Sequence, residues 1–241
     1  IWSNLVIVLP GGSGGRSVTA YDLASGELRW SALDDRQAYV SPALLHSGPE
    51  PQLLIVAAKR TVGLSPVDGR LLWEFAWGEP MMGRNAAQPV RCPGNRIVLS
   101  AGYDVGSVAF ELKHTAAGWQ AAELWRNRFL KNKFTSSLHW QGHIYGLDEE
   151  ILTCLDAATG ERRWKDGRYG YGQPLLVDGH LLILCGNGDL ALVKADPTQH
   201  HERARLPAIK GKTWNHPALA GGKLLIRNAI EMACYDLSVP R

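Results

Sequence analysis

One ten-residue segment occurs three times without gaps, at Tyr21–Trp30, Leu64–Trp73 and Leu155–Trp164, and it limits the fold more than any other feature of the chain. In each copy a Trp follows a Gly by four residues (Gly26 and Trp30, Gly69 and Trp73, Gly160 and Trp164). A degenerate fourth copy runs from Phe110 through an insertion at His114–Gly118 to Trp125, and a last half-copy, Cys234–Leu237, stops before its Gly and Trp. A unit repeated at a fixed period buries its apolar face only by stacking on its neighbours, so the chain must be an array.

A second signal shares the period. Pro42, Pro89, Pro174 and Pro217, with Ser137 in the remaining slot, recur every 37 to 48 residues. Between the two signals lie short apolar runs, Leu53–Ala57, Arg96–Ser100, His143–Leu147, Leu181–Cys185 and Lys223–Ile226, bounded by turn pairs such as Asp178-Gly179 and Gly221-Gly222. Such runs read as strands joined by hairpins. The Asp-to-Gly segment is itself a hairpin, with Asp or Ser capping the turn and Gly supplying positive φ.

Each repeat therefore predicts four strands, the pattern of a β-propeller blade, and no segment sustains a helical period. Four repeats are complete, at about Ala38–Gly78, Arg84–Asn127, Phe134–Asp166 and Gly172–Pro207; the first lacks its innermost strand and the last its outermost, which predicts 22 strands. The fold class expected is all-β, a propeller of about five and a half blades spanning residues 1–241 as one domain.

Composition narrows the function classes. With 45% hydrophobic and 20% charged residues the chain is an ordinary globular one, and no stretch approaches the ~18 apolar residues of a membrane span. A net charge of +3, with no Lys/Arg run longer than a pair such as Arg162-Arg163, does not indicate nucleic acid. Cys92, Cys154, Cys185 and Cys234 are far apart and form neither a CxxC nor an adjacent pair, so they read as free thiols.

The pattern Asp-x-x-Ser/Thr-Gly-x-x-x-Trp resembles the tryptophan-docking repeat of pyrroloquinoline-quinone (PQQ)-type propellers, over about Asn4 to Leu237. That superfamily includes quinoprotein alcohol dehydrogenases and a non-enzymatic group related to the propeller lipoprotein of the outer-membrane assembly machinery. The resemblance implies that Trp30, Trp73, Trp125 and Trp164 wedge between adjacent blades, each burying a large flat surface while its indole N–H finds a backbone acceptor. It also implies an eight-bladed ring, with about two blades and a closing strand preceding Ile1, and an exported, periplasmic or cell-envelope location.

A quinoprotein reading would require a Ca²⁺ site of carboxylate and amide oxygens, a catalytic Asp and, in the alcohol dehydrogenases, adjacent cysteines. Asn85 and Asn132 lie near the starts of innermost strands, but no acidic cluster accompanies them, so no catalytic residue, metal ligand or PQQ site is assigned. Neither HExxH nor Gly-x-Ser-x-Gly occurs, His200-His201 reads as a solvated loop, and Pro10–Gly15 lacks the Lys and following helix of a phosphate cradle.

One constellation points to binding. A cation precedes each innermost strand: Arg36, Arg84, Lys131 with Lys133, Arg168, and Lys210 with Lys212. In a propeller these loops open on one end of the central channel, where Tyr39, Phe134, Tyr169, Tyr171 and Trp214 join them. A basic, aromatic mouth favours an anionic ligand or an acidic peptide. The function that the resemblance to the assembly lipoprotein implies is a non-enzymatic scaffold for protein–protein interaction, engaging a protein partner, and the alternative is a PQQ-dependent oxidoreductase or a degenerate relative of one.

Overall fold

A computed structural model of the chain describes residues 1–48, 50–77 and 85–238. Strands form where apolar runs meet turn residues, and they assemble in six consecutive antiparallel sheets, or blades. Blade 1 has three strands, β1 (Leu5–Val8), β2 (Val18–Asp22) and β3 (Leu28–Ala32). Blade 2 comprises β4 (Ala43–Leu45), β5 (Gln52–Val56), β6 (Arg60–Leu64) and β7 (Leu71–Ala76). Blade 3 comprises β8 (Val90–Cys92), β9 (Arg96–Ala101), β10 (Gly106–Thr115) and β11 (Gly118–Asn127). Blade 4 comprises β12 (Leu138–Trp140), β13 (His143–Asp148), β14 (Ile151–Asp156) and β15 (Arg162–Arg168). Blade 5 comprises β16 (Gln173–Val177), β17 (His180–Leu184), β18 (Asp189–Lys194) and β19 (Glu202–Pro207). Blade 6 again has three, β20 (Ala218–Ala220), β21 (Lys223–Arg227) and β22 (Met232–Asp236). The 22 strands among the described residues, and their allocation to blades, agree with the sequence reading. Among the described residues there is no helix, and so none long and apolar enough to cross a membrane.

The blades stack through their faces. Leu54, Trp73 and Phe75 of blade 2 share a cluster with Ile97, Leu99 and Phe110 of blade 3, and Leu182, Leu184 and Leu190 of blade 5 share one with Leu224 and Ile226 of blade 6. The second strands of blades 2 to 5 are therefore buried on both faces along nearly their whole length, as β5 is, whereas β21 of blade 6 alternates buried and exposed residues and β19 lies largely in solvent.

Register explains where the tryptophans can sit. Ala20 pairs with Trp30, Gly63 with Trp73, Ala109 with Trp125 and Cys154 with Trp164. The third-strand neighbour is small every time because the indole lies across it; at Gly63 a Cβ would stand 2.1 Å from Trp73 Nε1. Blade 5 reverses the volumes, with Leu192 opposite Ala204. In all five blades the register slips immediately beyond this pair, leaving an extra residue before the Trp slot. Such a bulge re-aims the following side chain, and no sequence signal announced it.

The insertion in blade 3 extends the hairpin rather than forming a loop, since β10 and β11 run for ten residues each. His200 departs from the sequence expectation. It is not a solvated loop residue: its Nε2 lies 2.7 Å from the hydroxyl of the buried Tyr169, and its ring meets Trp164 edge-on.

Candidate functional site

Antiparallel order places the loops that enter each first strand, and the hairpins joining second and third strands, at one end of the blades. The remaining hairpins lie at the other end. The sequence-derived cations all precede first strands and so belong to the first end.

There Phe134 stacks on Trp214, with ring centroids 5.1 Å apart and planes at 26°. Tyr171 stands edge-on to both rings, at 5.5 and 5.9 Å, an arrangement matched to the aromatic quadrupole. These three side chains come from loops of blades 4, 5 and 6. Gln173, 1% exposed at the start of β16, ties the loops together by donating from Nε2 to the carbonyls of Phe134 (3.2 Å) and Trp214 (3.3 Å). Gln88, at the equivalent position of blade 3, acts in the same way on blade 2: its side-chain amide donates to the Ser41 carbonyl (3.3 Å) and accepts from the Ser41 N–H (2.8 Å), while its backbone N–H donates to Ser136 Oγ of blade 4 at 3.0 Å.

Cations are held against the rings. Lys133 Nζ donates to the Tyr171 hydroxyl at 3.2 Å and sits between the rings of Tyr103 (5.4 Å) and Tyr171 (5.3 Å). The hydrogen bond with Tyr171, aided by Glu149 at 3.8 Å, holds its ammonium above the ordinary lysine range. Lys212 Nζ lies 3.4 Å from the centroid of Trp214. Both are cation–π contacts. Beside them a cavity of about 410 Å³ is lined by Tyr39, Ala86, Tyr103, Lys133 and Phe134, with Tyr39 82% exposed.

The sequence matches the family described as outer membrane protein assembly factor BamB over residues 3–166, well over half of the chain. The chain belongs to this BamB family. Among solved structures it is similar to BamB from Moraxella catarrhalis, at 15% identity and a TM-score of 0.54, covering 95% of this chain and 80% of that one. It is also similar to the computationally designed Ika8 protein, at 14% identity and a TM-score of 0.66, covering 98% of this chain and 69% of that one. At such identities the likeness is one of fold. No curated protein sequence matches.

In this BamB-family chain the sequence-derived mouth residues fall into separate groups. Lys133, Lys212 and Trp214 converge with Phe134 and Tyr171. Lys131 is directed to Asp104 (3.5 Å) and Arg168 to Glu150 (2.5 Å). Arg36 is exposed, its carbonyl accepting from the Ala58 N–H, and Arg84 lies outside the described residues. Asp104, Glu149 and Glu150 belong to second-to-third-strand hairpins, which sequence reasoning did not assign to this end. They pair with Lys131, Lys133 and Arg168 of the expected basic ring, while Lys212 rests on the face of Trp214.

Asn85 and Asn132 are both 1% exposed and brace loops, donating from Nδ2 to the carbonyls of Ala57 (2.9 Å) and Leu147 (3.0 Å). Among the described residues no group of three or more His, Cys, Asp or Glu converges.

At the opposite end the indoles make specific bonds. Trp30 Nε1 donates to the Pro66 carbonyl (3.1 Å), Trp125 Nε1 to that of Ala157 (3.2 Å) and Trp164 Nε1 to that of Asp196 (2.9 Å), each in the following blade. Trp73 differs: its Nε1 donates to Gln52 Oε1 of its own blade at 2.6 Å, and its ring tilts against Phe110 of blade 3 at 5.7 Å. Blade 3 has the extended hairpin, so no Asp-to-Gly turn offers Trp73 a carbonyl.

Proposed function

We propose that this chain is a non-enzymatic propeller scaffold of the cell envelope that engages protein partners through the end bearing Phe134, Tyr171, Trp214, Lys133 and Lys212. The observation that carries the reading is this aromatic cluster, partly exposed, drawn from three blades and held by one buried glutamine. Aromatic side chains flanked by cations supply large, rigid contact area together with charge complementarity, the composition of binding hot spots. Membership of the BamB family supports a scaffold over a catalyst. In this reading Trp30, Trp73, Trp125 and Trp164 dock blades, and no cofactor takes part.

A photo-crosslinking amino acid placed at Trp214 should capture a discrete envelope protein, and one at Glu27, at the far end, should not. Phe134→Ala with Lys133→Glu should abolish the Trp214 crosslink. Equal capture from both ends would overturn the assignment of the face, and tight stoichiometric binding of PQQ with Ca²⁺ would overturn the non-enzymatic reading.

A further inference from the structure

At the opposite end from the aromatic face, between the β4–β5 and β8–β9 turns, lies a second cavity, of about 480 Å³. Its described lining includes His46 and Ser47 of blade 2 and Arg91, Cys92, Asn95 and Arg96 of blade 3, with no carboxylate. That distinguishes it from the aromatic end, where cations meet Asp104, Glu149 and Glu150.

The two arginines are set rather than free. Arg91 Nη1 donates across the blade junction to the Leu44 carbonyl at 3.0 Å, which fixes its guanidinium and leaves its other N–H groups for a ligand. Arg96 Nε is buried and has no hydrogen-bond partner within the chain, a costly state for a charged donor. Arg96 packs over the turn at Gly94, where a Cβ would stand 3.8 Å from its Nε. Glu50, three residues beyond Ser47, is engaged with Arg70 at 3.7 Å, and Glu111, the cross-strand neighbour of Arg96 in the β9–β10 ladder, is engaged with Lys113 at 3.1 Å. Cys92 adds no negative charge, because burial pushes its thiol up to about 11.

Two guanidinium groups and an imidazole around one concave site whose described lining holds no carboxylate match an oxyanion of charge near −2, since a guanidinium presents paired N–H groups to paired oxygens. We propose that this cavity is a phosphate-group site, with Arg96 and Arg91 as its ligands and His46 at its rim. The inference is independent of the partner-binding reading above, because it uses other residues at the other end of the blades.

Inorganic phosphate titrated calorimetrically at low ionic strength should show one saturable site, weakening as NaCl is added. Arg96→Gln or Arg91→Gln should weaken it by about tenfold or more, the loss expected for a charge-assisted hydrogen bond. Lys212→Gln, at the other end, should leave it unchanged. Because Arg96 is partly buried, His46→Gln on an exposed side chain gives a second test without risk to the fold, and should weaken binding severalfold. Glycerol 3-phosphate binding more tightly than phosphate would mark a phosphomonoester ligand, and equal or weaker binding would mark the free ion. Absence of saturable phosphate binding, or affinity unchanged in Arg96→Gln and His46→Gln alike, would overturn the proposal.

Discussion

Trp125 of blade 3 lies directly against Gly160 of blade 4: a Cβ at Gly160 would stand 2.5 Å from Cδ2 of the indole. The same glycine has φ +74°, as the turn after Asp156 demands. One residue thus serves the local hairpin and the junction between blades, and Gly69 does the same beneath Trp30, at 2.6 Å.

This double role separates two alanine substitutions. Gly26 has φ +73° but open space around it, so Gly26→Ala should cost only the backbone strain, about 1 kcal/mol. Gly160→Ala adds the clash with Trp125 and should cost about 2–4 kcal/mol in total. Urea midpoints of the two variants test the difference; equal losses would show that the Trp125 contact contributes nothing.

Gln52 is 0% exposed and accepts the Trp73 N–H. Gln52→Leu would strand that donor inside the cluster around Phe110, so a loss of about 1–3 kcal/mol is expected. Trp73→Phe in the Gln52→Leu background should recover part of it, since the stranded indole donor is then removed and only the Ser47 carbonyl, which accepts from Gln52 Nε2 at 3.3 Å, loses its partner. The double-mutant cycle reads the coupling.

Volume is conserved across the Leu192–Ala204 pair. Ala204→Trp alone should destabilise by about 1–3 kcal/mol, because the indole meets Leu192 where other blades have Gly, Ala or Cys. Leu192→Ala together with Ala204→Trp should be more stable than either single change. Thermal unfolding of the three variants checks the order.

Glu202 accepts from Arg205 and from the Tyr169 hydroxyl, both at 2.7–2.9 Å, and the Arg205 bonds, first among the causes, hold its carboxyl down at about 2. Its folded value lies below its unfolded one, so its stabilisation is present above about pH 4.5 and is lost as pH falls through about 2. Glu202→Gln should therefore flatten the decline in urea midpoint across that window. A wild-type slope retained in the variant would assign the acid sensitivity to other carboxylates.

Much of this molecule is legible in its sequence because propeller blades are local. Each hairpin is specified by its own Asp, Gly and apolar runs, so strand number, blade allocation and the incomplete outer blades follow from the repeat alone. The carboxylates beside Lys131, Lys133 and Arg168 were not legible, since Asp104, Glu149 and Glu150 lie in hairpins of ordinary turn composition. His200 escaped for a related reason: a His-His pair in a Pro/Thr/Gln segment reads as solvent, and only the packing of blade 5 on Tyr169 draws it in.

What the sequence alone determined is the period, the strands and the one repeat slot shared by Trp30, Trp73, Trp125 and Trp164. The tertiary structure decided what those slots touch. Trp30, Trp125 and Trp164 find a carbonyl in the next blade while Trp73 turns back to Gln52, because the acceptor depends on the shape of a neighbour's hairpin and not on the repeat that carries the Trp. The same holds for charge: residues distant in the chain are brought within a few ångströms only when blades stack, and that proximity sets which cations are paired, which rest on aromatic rings and which, like Arg96, keep a buried donor without a partner.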